Sequence, residues 1–302
     1  MKKYLLVLFL SLTFNTFAEE KTIVTSDGVE LHITMQGQGT PCLFIHGGPG
    51  SGSYWFEKFM GDSLEQHFQM IYLDQRGVGR SSSPEDGNYS LDRMVQDFEE
   101  IKTELGIKEW LIMGHSFAGI MQMDYALKHP ESIKGIIMIN CTLNISNSYK
   151  TSWYPKARHF LEVEEDGYYL NQSIPLHTRW DSLINVLNQK DLMWQMGFES
   201  RDEMLKIGQT YGDIPNWNWD FGAVAMTIDD YQKDFVEFTS QVHMPVLFVY
   251  GKKDWMVGPE HFKKVKFPNM LLWGIDGSHM PFFGKKAELM KAIEDFCNRY
   301  KF

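Results

Sequence analysis

Three residues, Ser116, Asp254 and His279, lie in surroundings that suit nucleophilic acyl chemistry. Ser116 sits in Gly114-His115-Ser116-Phe117-Ala118-Gly119, between an apolar run and a stretch of helical spacing. A serine on a sharp strand-to-helix turn is held in strained geometry with its hydroxyl exposed, and small residues nearby let the turn pack closely. A serine there can also simply cap the helix. As a nucleophile its hydroxyl is weak and needs a base, itself oriented by an acid. Asp254 closes Gly251-Lys252-Lys253-Asp254 just past the apolar run Val246 to Tyr250, and His279 stands in Gly277-Ser278-His279-Met280-Pro281 after the next run. Asp276 is the rival acid. It shares the loop of His279, whereas an acid from a separate strand end is expected, which favours Asp254. A fourth element is His46-Gly47-Gly48-Pro49-Gly50. Its glycines let amides turn toward a developing oxyanion, with the Gly48 N–H acting beside the Phe117 N–H. A plain tight turn would favour the same residues. His46 is read as bracing this loop by hydrogen bonds, not as moving protons.

Residues this far apart in sequence need a scaffold that gathers them. Val29 to Gln36 alternates like an edge strand, and Pro41 to His46 and Met70 to Asp74 are compact apolar runs that end in glycine clusters. Leu91 to Leu105 has helical spacing, Trp110 to Met113 is an apolar run, Phe117 to Leu127 is helical, and Ile133 to Ile139 is apolar again. Such alternation predicts a mostly parallel central sheet flanked by helices, an α/β fold whose functional residues cluster at the strands' C-terminal ends. The rhythm stops from about Asn144 to Phe238. This stretch has helix-like segments around Leu183 to Met204 and five tryptophans, Trp153, Trp180, Trp194, Trp217 and Trp219. It reads as an inserted helical cap over residues 144–238, its tryptophans either ordinary packing or the lining of an aromatic pocket. Strand-like runs resume at Pro245 to Tyr250 and Met270 to Trp273, and Lys285 to Tyr300 closes the chain as an amphipathic helix. Residues 19–143 and 239–302 together make the main domain.

Composition excludes several classes. With 302 residues, 43% hydrophobic and 23% charged, the chain has a full core and is neither disordered nor fibrous. Its 29 basic and 39 acidic residues give a net charge of −10, and no basic run supplies the cationic face that nucleic acid requires. Lys2 and Lys3 precede the apolar run Tyr4 to Leu12, and Thr16-Phe17-Ala18 offers small residues where a signal peptidase cuts. Residues 1–18 are therefore expected to be a cleaved signal peptide, with the protein exported to a periplasmic or extracellular space. The run is too short to span a bilayer, so no stable membrane insertion is expected after cleavage. Cys42, Cys141 and Cys297 are too few and too scattered for a metal cluster or a disulfide framework, and read as structural thiols. No ligand cluster and no dinucleotide glycine motif appears, so neither metal nor organic cofactor is expected.

The chain resembles the α/β-hydrolase superfamily, whose triads also run Ser, Asp, His, and within it the proline iminopeptidase branch of serine peptidases. His46-Gly47-Gly48-Pro49-Gly50 matches that branch's H-G-G-P-G loop, and Asp74-Gln75-Arg76-Gly77-Val78-Gly79-Arg80-Ser81 matches its D-Q-R-G-x-G-x-S segment. The resemblance covers about Lys21 to Ile139 and Val242 to Phe302. It implies a Ser116, Asp254 and His279 triad, an oxyanion hole at Gly48 and Phe117, and structural roles for Asp74 and Arg76. Ala118 departs from the fifth glycine of G-x-S-x-G. The cap departs further: that branch binds the substrate's amine with cap glutamates near a W-E pair and carries an arginine-glycine pair after the sixth strand, where this chain has Trp194-Gln195 and Asn140-Cys141-Thr142. Glu162, Glu164, Glu165, Asp166 and Asp220 remain acidic candidates without an assigned role.

The reading that follows is a serine hydrolase acting through an acyl-enzyme, as an aminopeptidase that releases N-terminal residues from short peptides. The alternatives are a carboxylesterase or other acyl hydrolase with the same triad, and a non-catalytic binding protein. A buried cap carboxylate facing Ser116 would favour the peptidase, because an ammonium ion in a closed pocket needs a partner charge and a neutral ester does not.

Overall fold

The computed structural model describes residues 18–302. Apart from Ala18, the expected signal peptide lies outside the described residues. Eight strands form one sheet: β1 (Glu19–Val24), β2 (Glu30–Gln36), β3 (Thr40–Ile45), β4 (Phe68–Leu73), β5 (Trp110–His115), β6 (Ile133–Ile139), β7 (Val246–Gly251) and β8 (Met270–Ile275). Their spatial order is β1-β2-β4-β3-β5-β6-β7-β8. Both pairings of β2, with β1 and with β4, are antiparallel, and all the others are parallel. This is the mostly parallel sheet predicted from the alternating runs.

The central strands were legible because both of their faces are covered. Every residue of β5 is buried, and β6 exposes only Lys134. One layer of core joins the sheet to α2 (Leu91–Glu104) and α3 (Ala118–Lys128). On the other face, α1 (Tyr54–Leu64) and the C-terminal helix Lys286–Tyr300 pack against strand side chains such as Phe44, Met113 and Leu247. The edge assignment needs correction. β2 lies one strand in, and β1 is the true edge; its residues are exposed except Ile23, so no apolar alternation announced it.

Between β6 and β7 the described residues contain helices and turns but no strand. The stretch is not uniform. Helices Tyr154–Leu161 and Leu176–Gln189 share a small cluster of their own, with Tyr149, Trp153, Leu183, Leu187 and Met196. Its later part, through Phe221, Tyr231 and Phe235, joins the main core beside α3. That part is pinned to the loop after β4: Gly79 and Asn218 exchange backbone hydrogen bonds (2.9 and 3.0 Å), and the Asn218 side chain donates to the Ser81 carbonyl (3.0 Å).

Asp74 and Arg76 sit as braces within this frame. Asp74 is fully buried and accepts from the Ser53 N–H and hydroxyl (both 2.8 Å) and from Arg80 Nε (2.7 Å). Arg76 pairs with Asp97 (2.6 and 2.7 Å) and Asp27 (2.9 Å). Nearby, Glu57 has a buried Oε2 without a hydrogen-bond partner, and burial pushes its pKa up to about 7. A folded pKa above the unfolded one means that ionising Glu57 costs stability, a cost absent at low pH and growing as pH rises toward the folded value. Glu57→Gln should therefore stabilise the protein by about 1–2 kcal/mol at pH 8 and change little at pH 4. Denaturant melts at both values check this; an equal shift at the two would contradict it.

Candidate active site

Ser116 occupies the turn between β5 and α3 with φ of +59°, a left-handed conformation that costs a non-glycine residue on the order of 1–2 kcal/mol. The surroundings fix it. Its N–H donates to the Ile139 carbonyl (3.2 Å), and its own carbonyl accepts from Thr142 N–H (3.0 Å) and Gly119 N–H (3.3 Å). Strand ends β5 and β6 thus hold the strained residue from both sides. The side chain points away from the helix as a nucleophile would, and α3 receives no side-chain cap from this turn.

The Ser116 hydroxyl donates to His279 Nε2 at 2.9 Å, and His279 Nδ1 donates to Asp254 Oδ2 at 2.9 Å. The three residues come from the ends of β5, β7 and β8. His279 and Asp254 are 3% and 2% exposed, so their pairing is shielded from water. The other oxygen of Asp254 accepts from Met256 N–H and Val257 N–H, both at 3.0 Å, which leaves Oδ2 directed at the imidazole. Asp276 is elsewhere: its exposed carboxylate pairs with Lys253 at 3.2 Å, and that contact lowers its pKa.

A second layer orients the imidazole. The His279 carbonyl accepts from His115 Nε2 (3.0 Å) and Asn140 Nδ2 (2.9 Å), and Asn140 also donates to the Ser278 carbonyl (3.0 Å). Burial and the nearby His279 hold the His115 pKa well below the usual histidine range, so its ring is neutral. Asn140 itself has φ of +47°. It stands where the resembled branch carries an arginine-glycine pair, and its use as a clamp on the histidine loop was not readable from the sequence.

The glycine loop lies against the serine turn. A Cβ on Gly47 would stand 2.4 Å from the His115 carbonyl and 2.9 Å from Ser116 Cβ, so only glycine allows this approach. Gly48 has φ of +109°. Neither the Gly48 N–H nor the Phe117 N–H finds an acceptor among the described residues. His46 is wholly buried; its Nε2 accepts from Gln75 N–H (3.2 Å) and its Nδ1 donates to the Gly47 carbonyl (3.1 Å). Burial pushes its pKa down to about 4, which keeps it a neutral strut.

These groups open into a cavity of about 730 Å³ roofed by the inserted segment. Trp153, Trp180 and Trp219 line it; Trp217 instead wedges against Gly52, and Trp194 is half-buried outside the lining. Helix Leu176–Gln189 turns His177, Asp181, Ile184 and Asn188 toward the cavity, at spacings of one helical face. Asp181 was missed in the sequence because the helix shows only Leu183 and Leu187 as a buried stripe, a weak periodic signal. Among the described residues it is the one carboxylate in the wall, and it is exposed. Glu162, Glu164, Glu165, Asp166 and Asp220 are also exposed and none lines the cavity. Among the described residues no buried cap carboxylate faces Ser116. Chemically, the arrangement can activate a hydroxyl, receive an oxyanion and hold a mainly apolar acyl or leaving group.

Known proteins resemble this chain along most of its length. The chain is 25% identical to 1-acylglycerol-3-phosphate O-acyltransferase of Arabidopsis thaliana, over 87% of this chain and 68% of that one. It is 24% identical to a proline iminopeptidase of Saccharolobus solfataricus, over 88% and 87%. The crystal structure of a proline iminopeptidase-related protein from Thermus thermophilus superposes with a TM-score of 0.74 at 17% identity, covering 94% of this chain and 98% of the other, a likeness of fold. The family described as alpha/beta hydrolase fold matches residues 40–286, and with that match across the sheet, the serine turn and the inserted segment, the chain belongs to the α/β-hydrolase fold family.

Proposed function

We propose that the protein is a serine hydrolase in which Ser116 attacks an acyl carbon, His279 takes the hydroxyl proton and later delivers it to the leaving group, and Asp254 orients the imidazole. The oxyanion is held by the Gly48 and Phe117 amides, and water then releases the acyl group by the same path reversed. The observation that carries this reading is the continuous chain of two 2.9 Å hydrogen bonds from Ser116 to Asp254, opening on a cavity beside two amides without acceptors.

As substrate class, we propose short peptides with a free amino terminus, with Asp181 as the group that meets the ammonium ion. The proline iminopeptidase relative supports this, as does the single carboxylate in a wall otherwise neutral at the positions that line it. Esters and other neutral acyl substrates are the second reading. It is favoured by the exposure of Asp181, because a solvated carboxylate does not demand a cationic partner the way a buried one does. Asp181→Asn is expected to lower kcat/KM for alanyl and prolyl arylamides by at least about tenfold, equivalent to ~1.4 kcal/mol, and to leave short-chain aryl esters unaffected. N-acetylation of the arylamide should cause a similar loss. Equal cleavage of free and acetylated amides, or turnover of esters alone, would replace the peptidase reading with the esterase one.

Export belongs to the same proposal and rests on the first 18 residues. The mature protein recovered outside the cytoplasm should have a mass that begins at Glu19. An intact Met1 on exported protein would contradict cleavage.

A further inference from the structure

A second cavity, of about 460 Å³, lies behind the loop that carries Asp254. Two stretches wall it, residues 147–156 of the inserted segment and residues 255–264 after β7. They are fastened together: the Ser152 hydroxyl donates to the Trp255 carbonyl at 3.0 Å, and Gly258, at φ of +118°, approaches so closely that a Cβ there would stand 3.2 Å from Ser152 Cβ. Val257 belongs to both this cavity and that of Ser116, so the two chambers share a wall.

Its charges run against those of the chain. The protein carries −10, yet two lysines of this wall, Lys156 and Lys264, have no carboxylate partner among the described residues. Lys156 Nζ lies 4.2 Å over the Trp255 ring and 4.8 Å over Phe160, and Lys264 Nζ donates to the neutral Asn147 side chain at 2.6 Å. Glu260 is engaged by Lys263 at 2.6 Å. An aromatic face attracts an ammonium ion but leaves its charge unneutralised.

A third cue is independent of the lysines. His261, in the same wall, is 5% exposed; its Nε2 accepts from Leu143 N–H (3.1 Å), so the hydrogen is on Nδ1, and Nδ1 has no acceptor among the described residues. Burial pushes its pKa down to about 4, so the ring is neutral and Nδ1 remains a donor without added charge. A buried donor left unmatched is costly, and this one belongs to a residue of the cavity wall.

We propose that this cavity is a binding site for a small organic carboxylate, its head group held between Lys156 and Lys264 and its apolar body against Pro155, Trp255 and Pro259. The apolar walls distinguish such a ligand from a bare inorganic anion, which would gain nothing from them. The site is separate from Ser116 and does not depend on the hydrolase reading. Its inner wall is the turn whose Met256 and Val257 amides hold Asp254.

Isothermal titration of the full chain with benzoate, benzamide and inorganic phosphate tests the proposal. Benzoate should bind saturably, and Lys156→Met and Lys264→Met should each weaken it at least tenfold while unfolding at the wild-type temperature; methionine keeps the aliphatic stem that packs on the wall. Benzamide should bind at least tenfold more weakly than benzoate, since it lacks the charge. Either lysine variant suffices if the other fails to fold. Absence of benzoate binding, binding that neither variant changes, equal binding of benzamide, or phosphate binding tighter than benzoate would each overturn the assignment.

Discussion

Ser116→Ala and His279→Ala are each expected to abolish turnover to within about 10³–10⁴-fold of the uncatalysed rate, the remainder that an oxyanion hole and binding supply without a working relay. Removing the serine removes the atom that forms the acyl-enzyme. Removing the histidine leaves a hydroxyl with no acceptor for its proton, because the Nε2 at 2.9 Å is the one base in reach of it among the described residues. The losses should not add: a double variant should be no slower than either single one, since the two groups act as a unit. Steady-state kinetics on the best arylamide or ester checks this. A His279→Ala variant that keeps a tenth of wild-type kcat would contradict the assignment.

The second large effect separates the two candidate acids. Asp254→Asn should lower kcat by on the order of 10⁴, because an amide facing Nδ1 favours the wrong tautomer and cannot stabilise the imidazolium. Asp276→Asn should change kcat less than threefold. Its carboxylate is exposed and bound to Lys253, with the energetic weight of an ordinary surface pair. Asn substitution keeps the shape of each side chain, so the comparison isolates charge and tautomer from packing. The reverse ranking would mean that Asp276 reorients to serve the histidine and that the observed relay is not the working one.

What could be read in the sequence follows from burial. β3, β5, β6 and β7 are covered on both faces and stand out as apolar runs, broken in β6 only by Lys134. β1 is a solvated edge ribbon held by pairing with β2, a property of the partner strand and not of its own residues. α1 was not anticipated either: it begins right after the glycine loop, and its buried Trp55, Phe56 and Met60 mix with a glycine and two acidic positions, Glu57 and Asp62. Ser116, Asp254, His279, Gly48 and Phe117 were named because strand ends and glycine turns mark them, and the structure brings all five to one place. Asp181 was not named, and Asn140 was given no role in the site. Asp181 faces a cavity, which leaves no periodic trace, and Asn140 works through two carbonyls of a loop 138 and 139 residues away. Contacts of that kind become visible only once the sheet has closed.

The most direct measurement is covalent. Mature protein treated with a fluorophosphonate probe should gain one adduct by intact mass, and peptide mapping should place it on Ser116; Ser116→Ala should gain none, and Asp254→Asn should react far more slowly. Labelling of the alanine variant at the wild-type rate, or an adduct on any other residue, would contradict the claim that Ser116 is the nucleophile of this protein.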